Sequence, residues 1–327
     1  MVWPHLGYDQ AMDQMSKSTQ SNVTQGAEAI SAEAAQPEQT VYLNGEFMPL
    51  SEARIPVLDR GFIFGDGVYD VVPAYGGVPF RWPQHLARLK RSLGKVRIGN
   101  PLDDRGWTDV VTELLARHRW DDQFVYLHVT RGVARRDHPF PPEGVRPTVF
   151  AMSSEFKPVS RQAIEKGVSA ITLPDERWLH CDIKSTSLLG NVLARQTAAD
   201  AGALECLMFR DDFLTEGSSS NIWVVLDGKL LAPPRDTLIL EGIRYGLLEE
   251  LTRSRGVPFE IRRISREEVV RAEELMVTSA TKEILPITTL DGKPVGAGVP
   301  GAVYRELFAA YQDAKANSYQ KGWPQPA

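Results

Sequence analysis

Strand-length apolar runs and helical stretches follow one another along this chain without a strict βαβ rhythm, and that irregular order constrains its fold more than any other feature. Doubly wound sheets and parallel barrels need a helix after nearly every strand. Here the first ordered stretch is a hairpin instead: Val41-Tyr42-Leu43 and Glu46-Phe47 flank Asn44-Gly45, the strongest short turn signal between strands. Phe62–Phe64 and Val68–Tyr75 read as strands, and Gly76-Gly77 turns the chain into Val78–Phe80. A helix from about Pro83 carries Leu86, Leu89, Leu93 and Val96 on one face, with Arg88 to the side. A second helix covers about Asp104–His118, and β-rich segments follow at Gln123–Thr130 and Thr148–Met152. Beyond Glu155, strands at Val168–Leu173, Leu204–Arg210, Asn221–Leu226 and Leu275–Thr278 interleave with helices near Leu188–Ala201, Ile243–Ser254 and Gly301–Ala316. The pattern predicts an α+β fold in two domains, a smaller one over residues 40–157 and a larger one over 158–327, joined near Phe156–Ser160.

Residues 1–39 form a separate case. They are rich in Ser, Gln, Ala and Glu, with one Lys and no Arg, and are expected to be a disordered N-terminal arm. They lack the basic start and apolar centre of a signal peptide and the arginines of a transit peptide. The net charge of −5 argues against nucleic acid as a partner, since phosphate backbones call for clustered Lys and Arg. No run reaches the roughly 18–20 apolar residues of a membrane helix. Two cysteines, Cys181 and Cys206, are too few for a disulfide framework and point to a reducing, cytoplasmic setting.

Several chemistries lose ground on motif spacing. There is no G-x-x-x-x-G-K-[ST], Gly61, Gly65 and Gly67 miss the dinucleotide spacing, and no His or Cys set has zinc spacing. Glu216-Gly217-Ser218 lacks the second glycine of a nucleophile elbow. What remains is a set of single residues, each open to two readings. Lys184 is a solvated amine or a desolvated one suited to Schiff-base chemistry. Glu216 is a turn carboxylate or the partner of a cationic heterocycle. Arg88 is a surface cation or a bidentate phosphate ligand. Arg136 and His138 sit two residues apart in a proline-stiffened loop that could clamp a carboxylate, and Thr278–Thr281 offers hydroxyls and N–H groups to a phosphate. Together a lysine, a carboxylate and several phosphate donors match the needs of a pyridoxal phosphate site.

Longer motifs then decide between these readings. Asp59-Arg60-Gly61-Phe62-Ile63-Phe64-Gly65-Asp66-Gly67-Val68-Tyr69 resembles a signature of the fold-type IV pyridoxal-phosphate enzymes, the branched-chain and D-amino-acid aminotransferase superfamily. So do Cys181–Ser185, Leu189–Ala194 and Thr215–Asn221, and the resemblance runs from about Val41 to Ala316. It implies a two-domain fold with the site at the domain interface, pyridoxal 5'-phosphate as cofactor and a homodimer. Within the superfamily the chain is most similar to the D-amino-acid aminotransferases, because Val129–Gly132 and Arg136-x-His138-x-Phe140-Pro141 resemble their carboxylate-binding loop. Branched-chain enzymes lack that pair and usually carry Phe and Gly where this chain has Tyr69 and Asp70.

The resemblance implies roles residue by residue. Lys184 forms the Schiff base and shuttles the proton; Glu216 faces the pyridine nitrogen; Tyr69 bonds near the phenolic oxygen or the substrate. Arg88 binds the phosphate with Ser279, Thr281 and the N–H of Ile243, while Arg177 and Leu240 support the cofactor. Arg136 and His138 hold the α-carboxylate of a D-amino acid from the partner subunit. Two departures stand out: Arg244 replaces a hydroxyl residue of the phosphate site, and Ala280 replaces another. Arg244 is expected to compensate for the lost hydroxyl or to contact a substrate carboxylate. The implied reaction is ping-pong transfer from D-alanine to 2-oxoglutarate, giving pyruvate and D-glutamate. A branched-chain L-aminotransferase, an (R)-amine transaminase and an aminodeoxychorismate lyase are the alternatives on the same fold.

Overall fold

The computed structural model describes residues 38–319 and 323, so the expectation for the arm falls, over residues 1–37, outside the described residues. Two sheets organise the chain. The first has six strands, β1 (Thr40–Leu43), β2 (Glu46–Pro49), β3 (Gly67–Tyr75), β4 (Val78–Pro79), β5 (Gln123–Thr130) and β6 (Thr148–Glu155), in the order β2-β1-β6-β5-β3-β4. The second has nine: β7 (Val168–Pro174), β8 (Glu205–Arg210), β9 (Phe213–Leu214), β10 (Asn221–Leu226), β11 (Lys229–Ala232), β12 (Phe259–Ile261), β13 (Glu274–Ser279), β14 (Glu283–Leu290) and β15 (Lys293–Pro294). Their order is β12-β11-β10-β13-β14-β7-β8-β9, with β15 paired to β14.

Local chemistry accounts for the entry into the first sheet. Asn44 and Gly45 both take positive φ, 51° and 107°, which lets Leu43 pair directly with Glu46 across a two-residue turn. The expected strand at Phe62–Phe64 is instead part of a short helix, α1 (Arg60–Phe64). Asp59 caps it by accepting from the Gly61 N–H, and Gly65 ends it in the left-handed region at φ 64°. Three apolar residues are too few for periodicity to separate strand from helix, so these caps decide. The turn leaves Phe62 on the surface.

Helices α2 (Trp82–Lys95) and α3 (Asp104–Ala116) cover the first sheet. Leu86, Leu89 and Leu93 form the apolar stripe of α2 and meet Trp107, Leu114, Val72 and Leu127 in one core. Truncating a residue as large and enclosed as Trp107 costs about 3–5 kcal/mol. A short helix, α4 (Arg161–Lys166), follows the linker, and α5 (Leu189–Asp200) crosses from β7 to β8. The second sheet is buried on both faces, as the unbroken apolar run of β10 requires. Trp223 and Val225 pack towards α6 (Ile243–Arg255) and α8 (Ala302–Tyr319), whereas Ile222 and Val224 face the opposite core beside α7 (Arg266–Val270).

Between the sheets runs a short seam of backbone pairing. The Tyr69 N–H donates to the Lys184 carbonyl at 2.9 Å, the Thr186 N–H donates to Gly67 at 3.0 Å, and Val68 bridges Ser185. No helix of the described residues is long and apolar enough to cross a membrane.

Candidate active site

A cavity of about 390 Å³ opens where this seam, α2, α6 and the β13–β14 turn converge. Tyr69, Arg88, Arg177, Lys184, Glu216, Leu240, Ile243, Arg244, Ser279 and Ala280 all line it, so residues scattered over two hundred positions are brought to one wall. Thr281 lies just beyond, exposed, with its hydroxyl 3.4 Å from that of Ser279.

Lys184 is fixed from both sides of its backbone. Its N–H donates to Ser92 Oγ at 3.3 Å and its carbonyl accepts from Tyr69, which leaves the side chain to enter the cavity. Its Nζ stands 4.2 Å from the centroid of the Tyr69 ring, so the phenol flanks the amine.

Glu216 hangs from the segment between β9 and β10 and is 5% exposed. Oε1 accepts from Arg177 Nη1, and Oε2 accepts from the Leu240 N–H at 3.1 Å and from Asn221 Nδ2 at 3.3 Å. Burial pushes its carboxyl up to about 7, against the pull of Arg177 and Leu240. Arg177 does not belong to Glu216 alone: Asp175 grips it through Nε and Nη2 at 2.9 and 2.8 Å. Behind this segment Glu205, fully buried, accepts from the Ser218 N–H at 2.9 Å, Ser220 Oγ at 2.7 Å and Lys282 Nζ at 3.0 Å. That carboxylate pins the turn from which Glu216 projects.

The opposite end is basic. Arg88 is 4% exposed, because Asp70 on β3 accepts from its Nε at 2.9 Å and its Nη2 at 2.8 Å. Asp70 also bonds His85 Nδ1 at 2.7 Å. Burial works to raise the Asp70 carboxyl, but the charge and hydrogen bonds of Arg88 and His85 overcome it and hold the group well below the ordinary range. Burial drives His85 down to about 4, against the pull of Asp70, so the imidazole is neutral at neutral pH. Helix α6 begins beside these groups with Gly242 as its N-cap and no side-chain cap, and Gly242, Ile243 and Arg244 line the cavity. A Cβ at Gly242 would collide with Asn221 Oδ1.

The clamp residues lie elsewhere. Arg136 and His138 are exposed and do not line the cavity of their own chain; both rest on Phe64, each 5.4 Å from its ring centroid. Their loop is held firmly. Arg60 donates to the Asp137 carbonyl at 2.6 Å and to the His138 carbonyl at 3.4 Å, while Phe140 stacks on the guanidiniums of Arg131 and Arg97 at 3.7 and 4.5 Å.

Sequence reasoning passed over Asp70, His85, Asp175 and Glu205 as contributors. His85 and Arg88 stand three apart on α2 and therefore share a face, which was a usable signal. Asp175 stands two before Arg177 in the extended segment leaving β7, but nothing in the sequence marks Glu205 within the apolar run of β8.

Residues 67–290 match the family Amino-transferase class IV. The D-alanine aminotransferase of Bacillus licheniformis is 38% identical over 275 residues, covering 84% of this chain and 96% of that protein. The chain belongs to the class IV aminotransferases. The D-alanine aminotransferase of Staphylococcus haemolyticus is 37% identical to this aminotransferase over 286 residues, covering 85% of this chain and 99% of that protein. In fold it resembles the branched-chain aminotransferase of the archaeon Thermoproteus uzoniensis solved with norvaline, at a TM-score of 0.79 and 23% identity over 87% of this chain and 97% of that one.

Aminotransferases of this class work with pyridoxal 5'-phosphate, and the residues present fit it. A basic end with an open helix N-terminus suits a phosphate. A primary amine at the middle suits an aldehyde, and a buried carboxyl at the far end suits a pyridine nitrogen.

Proposed function

We propose that this aminotransferase transfers nitrogen from D-alanine to 2-oxoglutarate, giving pyruvate and D-glutamate by a ping-pong mechanism, as a homodimer in a reducing, cytoplasmic setting. The observation that carries the reading is the Arg136-x-His138 loop: two donors held by Arg60 and Phe140 in a defined pose, outside their own cavity, ready to complete a neighbour's. The likeness to curated D-alanine aminotransferases supports the choice of substrate, and exposed Phe62, Leu189, Val192 and Leu193 support a partner surface nearby.

Pyridoxal 5'-phosphate, when bound, supplies an aldehyde carbon that takes the amine and a ring that withdraws electrons from the carbon losing its proton. The chain supplies the rest. Lys184 Nζ would hold the aldehyde and would serve as the base that takes the proton from the amino acid's Cα and returns it to the carbon receiving nitrogen. Glu216 would hydrogen-bond the ring nitrogen, its carboxyl fixed by Arg177, Asn221 and Leu240. Tyr69 borders the amine, and Leu240 packs the wall. Arg88, the Ile243 N–H and Ser279 would anchor the phosphate, with Thr281 at the rim. In this reading the cofactor would lie between a domain of residues 40–157 and one of 158–327.

The clamp sets chirality. The Cα–H of either enantiomer must point to the face that carries Lys184, so the enantiomers differ in which side holds the carboxylate. Arg136 and His138 on one side select the D form. Absorbance of the purified protein before and after D-alanine, with L-alanine and L-leucine in parallel, tests the reading. Conversion by D-alanine alone supports it; conversion by L-leucine or L-alanine instead overturns it.

A further inference from the structure

We infer that Arg244 is the counter-charge of the phosphate end, a second guanidinium that neutralises the cofactor's phosphate while Arg88 is neutralised by the protein itself. This deepens the reading of the same site and rests on it. Arg244 stands in the first turn of α6, one residue after Ile243, on the cavity wall and only 2% exposed. Its neighbours are neutral: Nε donates to Tyr311 Oη at 3.3 Å, Nη2 to the Ala280 carbonyl at 3.5 Å, and Nη1 faces His85 Nε2 at 3.5 Å. Phe80 lies 5.5 Å from the guanidinium carbon. Among the described residues no carboxylate lies within ion-pair distance of it. A buried cation without an anion is costly, and these long contacts with neutral groups offset little of that cost.

The charges at this end can be counted. Asp70 is negative and Arg88 positive, and they form a bidentate pair. With Nδ1 donating to Asp70, His85 turns the lone pair of Nε2 towards Arg244 and adds no charge. One uncompensated positive charge remains, on Arg244. The chain Arg244–His85–Asp70–Arg88 therefore aligns two guanidiniums through one imidazole and one carboxylate, and a bound dianion meets the free charge of one and the donors of both. This separates the two roles left open for Arg244. A hydroxyl in its place would give a hydrogen bond but no charge, and a substrate carboxylate belongs away from this end, beside Lys184, where the amino group must react.

Titrating the full-length apoprotein with pyridoxal 5'-phosphate and with pyridoxal, which lacks the phosphate, tests the inference. Arg244→Gln should raise Kd for pyridoxal 5'-phosphate by roughly 10- to 150-fold, the range for one hydrogen bond to a charged group, and leave Kd for pyridoxal within about twofold. Arg244→Met keeps the length without the charge and serves if the glutamine variant does not fold. Its apo thermal midpoint should be unchanged or raised, while its gain on loading with pyridoxal 5'-phosphate shrinks. An equal loss of both ligands, or equal drops in the apo and loaded midpoints, would make Arg244 a strut of the core and overturn the inference. So would a raised KM for D-alanine with both Kd values unchanged. Should the wild-type protein bind pyridoxal 5'-phosphate but leave D-alanine untouched, the substrate reading fails and the Arg244 inference stands.

Discussion

Replacing Asp70 by Asn removes one charge from the centre of the basic end while hardly changing its shape. Asp70 receives three hydrogen bonds, from Arg88 Nε at 2.9 Å, Arg88 Nη2 at 2.8 Å and His85 Nδ1 at 2.7 Å. An amide has only one oxygen. If its nitrogen takes the Oδ2 place it meets the Arg88 Nε–H, and in the Oδ1 place it meets Arg88 Nη2 and His85, so either rotamer sets donor against donor. Arg88 is also left as a buried cation without its anion. Removing one member of a buried ion pair costs about 3–5 kcal/mol. At the usual unfolding entropy per residue, each kcal/mol moves the thermal midpoint of a chain of this size by roughly 1.5 °C, so Asp70→Asn should lower the apo midpoint by roughly 4–8 °C. Circular dichroism melts of the apoprotein at neutral pH measure this directly. A drop below about 3 °C would show that Asp70 does not carry the pair, and the charge count around Arg244 would go with it.

Acid should expose His85: its folded value of about 4 lies below the ordinary ~6.5, so the unfolded chain binds the extra proton between those pH values and stability falls as pH drops through that window. The loss amounts to about 3 kcal/mol, and urea unfolding at stepped pH should show a shallower decline in His85→Gln; equal slopes would contradict the assignment. Lys184→Ala should lower turnover of D-alanine by more than roughly a thousandfold, and sustained turnover by that variant would remove Lys184 from its role. Arg60→Leu frees the Asp137 and His138 carbonyls and should raise KM for D-alanine by roughly tenfold or more with kcat largely kept. A lower kcat at constant KM would instead place Arg60 in the chemical step.

The broad fold was legible because the hairpin at Asn44-Gly45, the leucine stripe of α2 and the apolar run of β10 obey local rules that the tertiary structure leaves in force. The short elements β9, β11, β12, β15, α4 and α7 escaped, and two further misses have a clear cause. Phe62–Phe64 is too short to show a period, and β14 carries Pro286 in mid-run, which disguises a strand that nevertheless pairs Met276 with Pro286 beside β13. Within the site, long motifs announced Lys184 and Glu216, but a motif names a residue and not its environment. That Arg88 arrives already paired with Asp70, and that Arg244 has no anion, depends on contacts across strand, helix and turn that no local pattern encodes.

The backbone seam at Lys184 has a mechanical meaning. Tyr69 holds the Lys184 carbonyl and Gly67 the Thr186 N–H, so a residue that lies in sequence with the second sheet is laced to the first. Glu216, held by Asn221, Leu240 and Arg177, rides with the second sheet. A hinge between the two sheets would therefore move the reacting amine against the anchor of the ring. The seam acts as a gauge: its two short links hold the spacing of amine and carboxyl, and loosening one of them would detune the pair without touching either side chain.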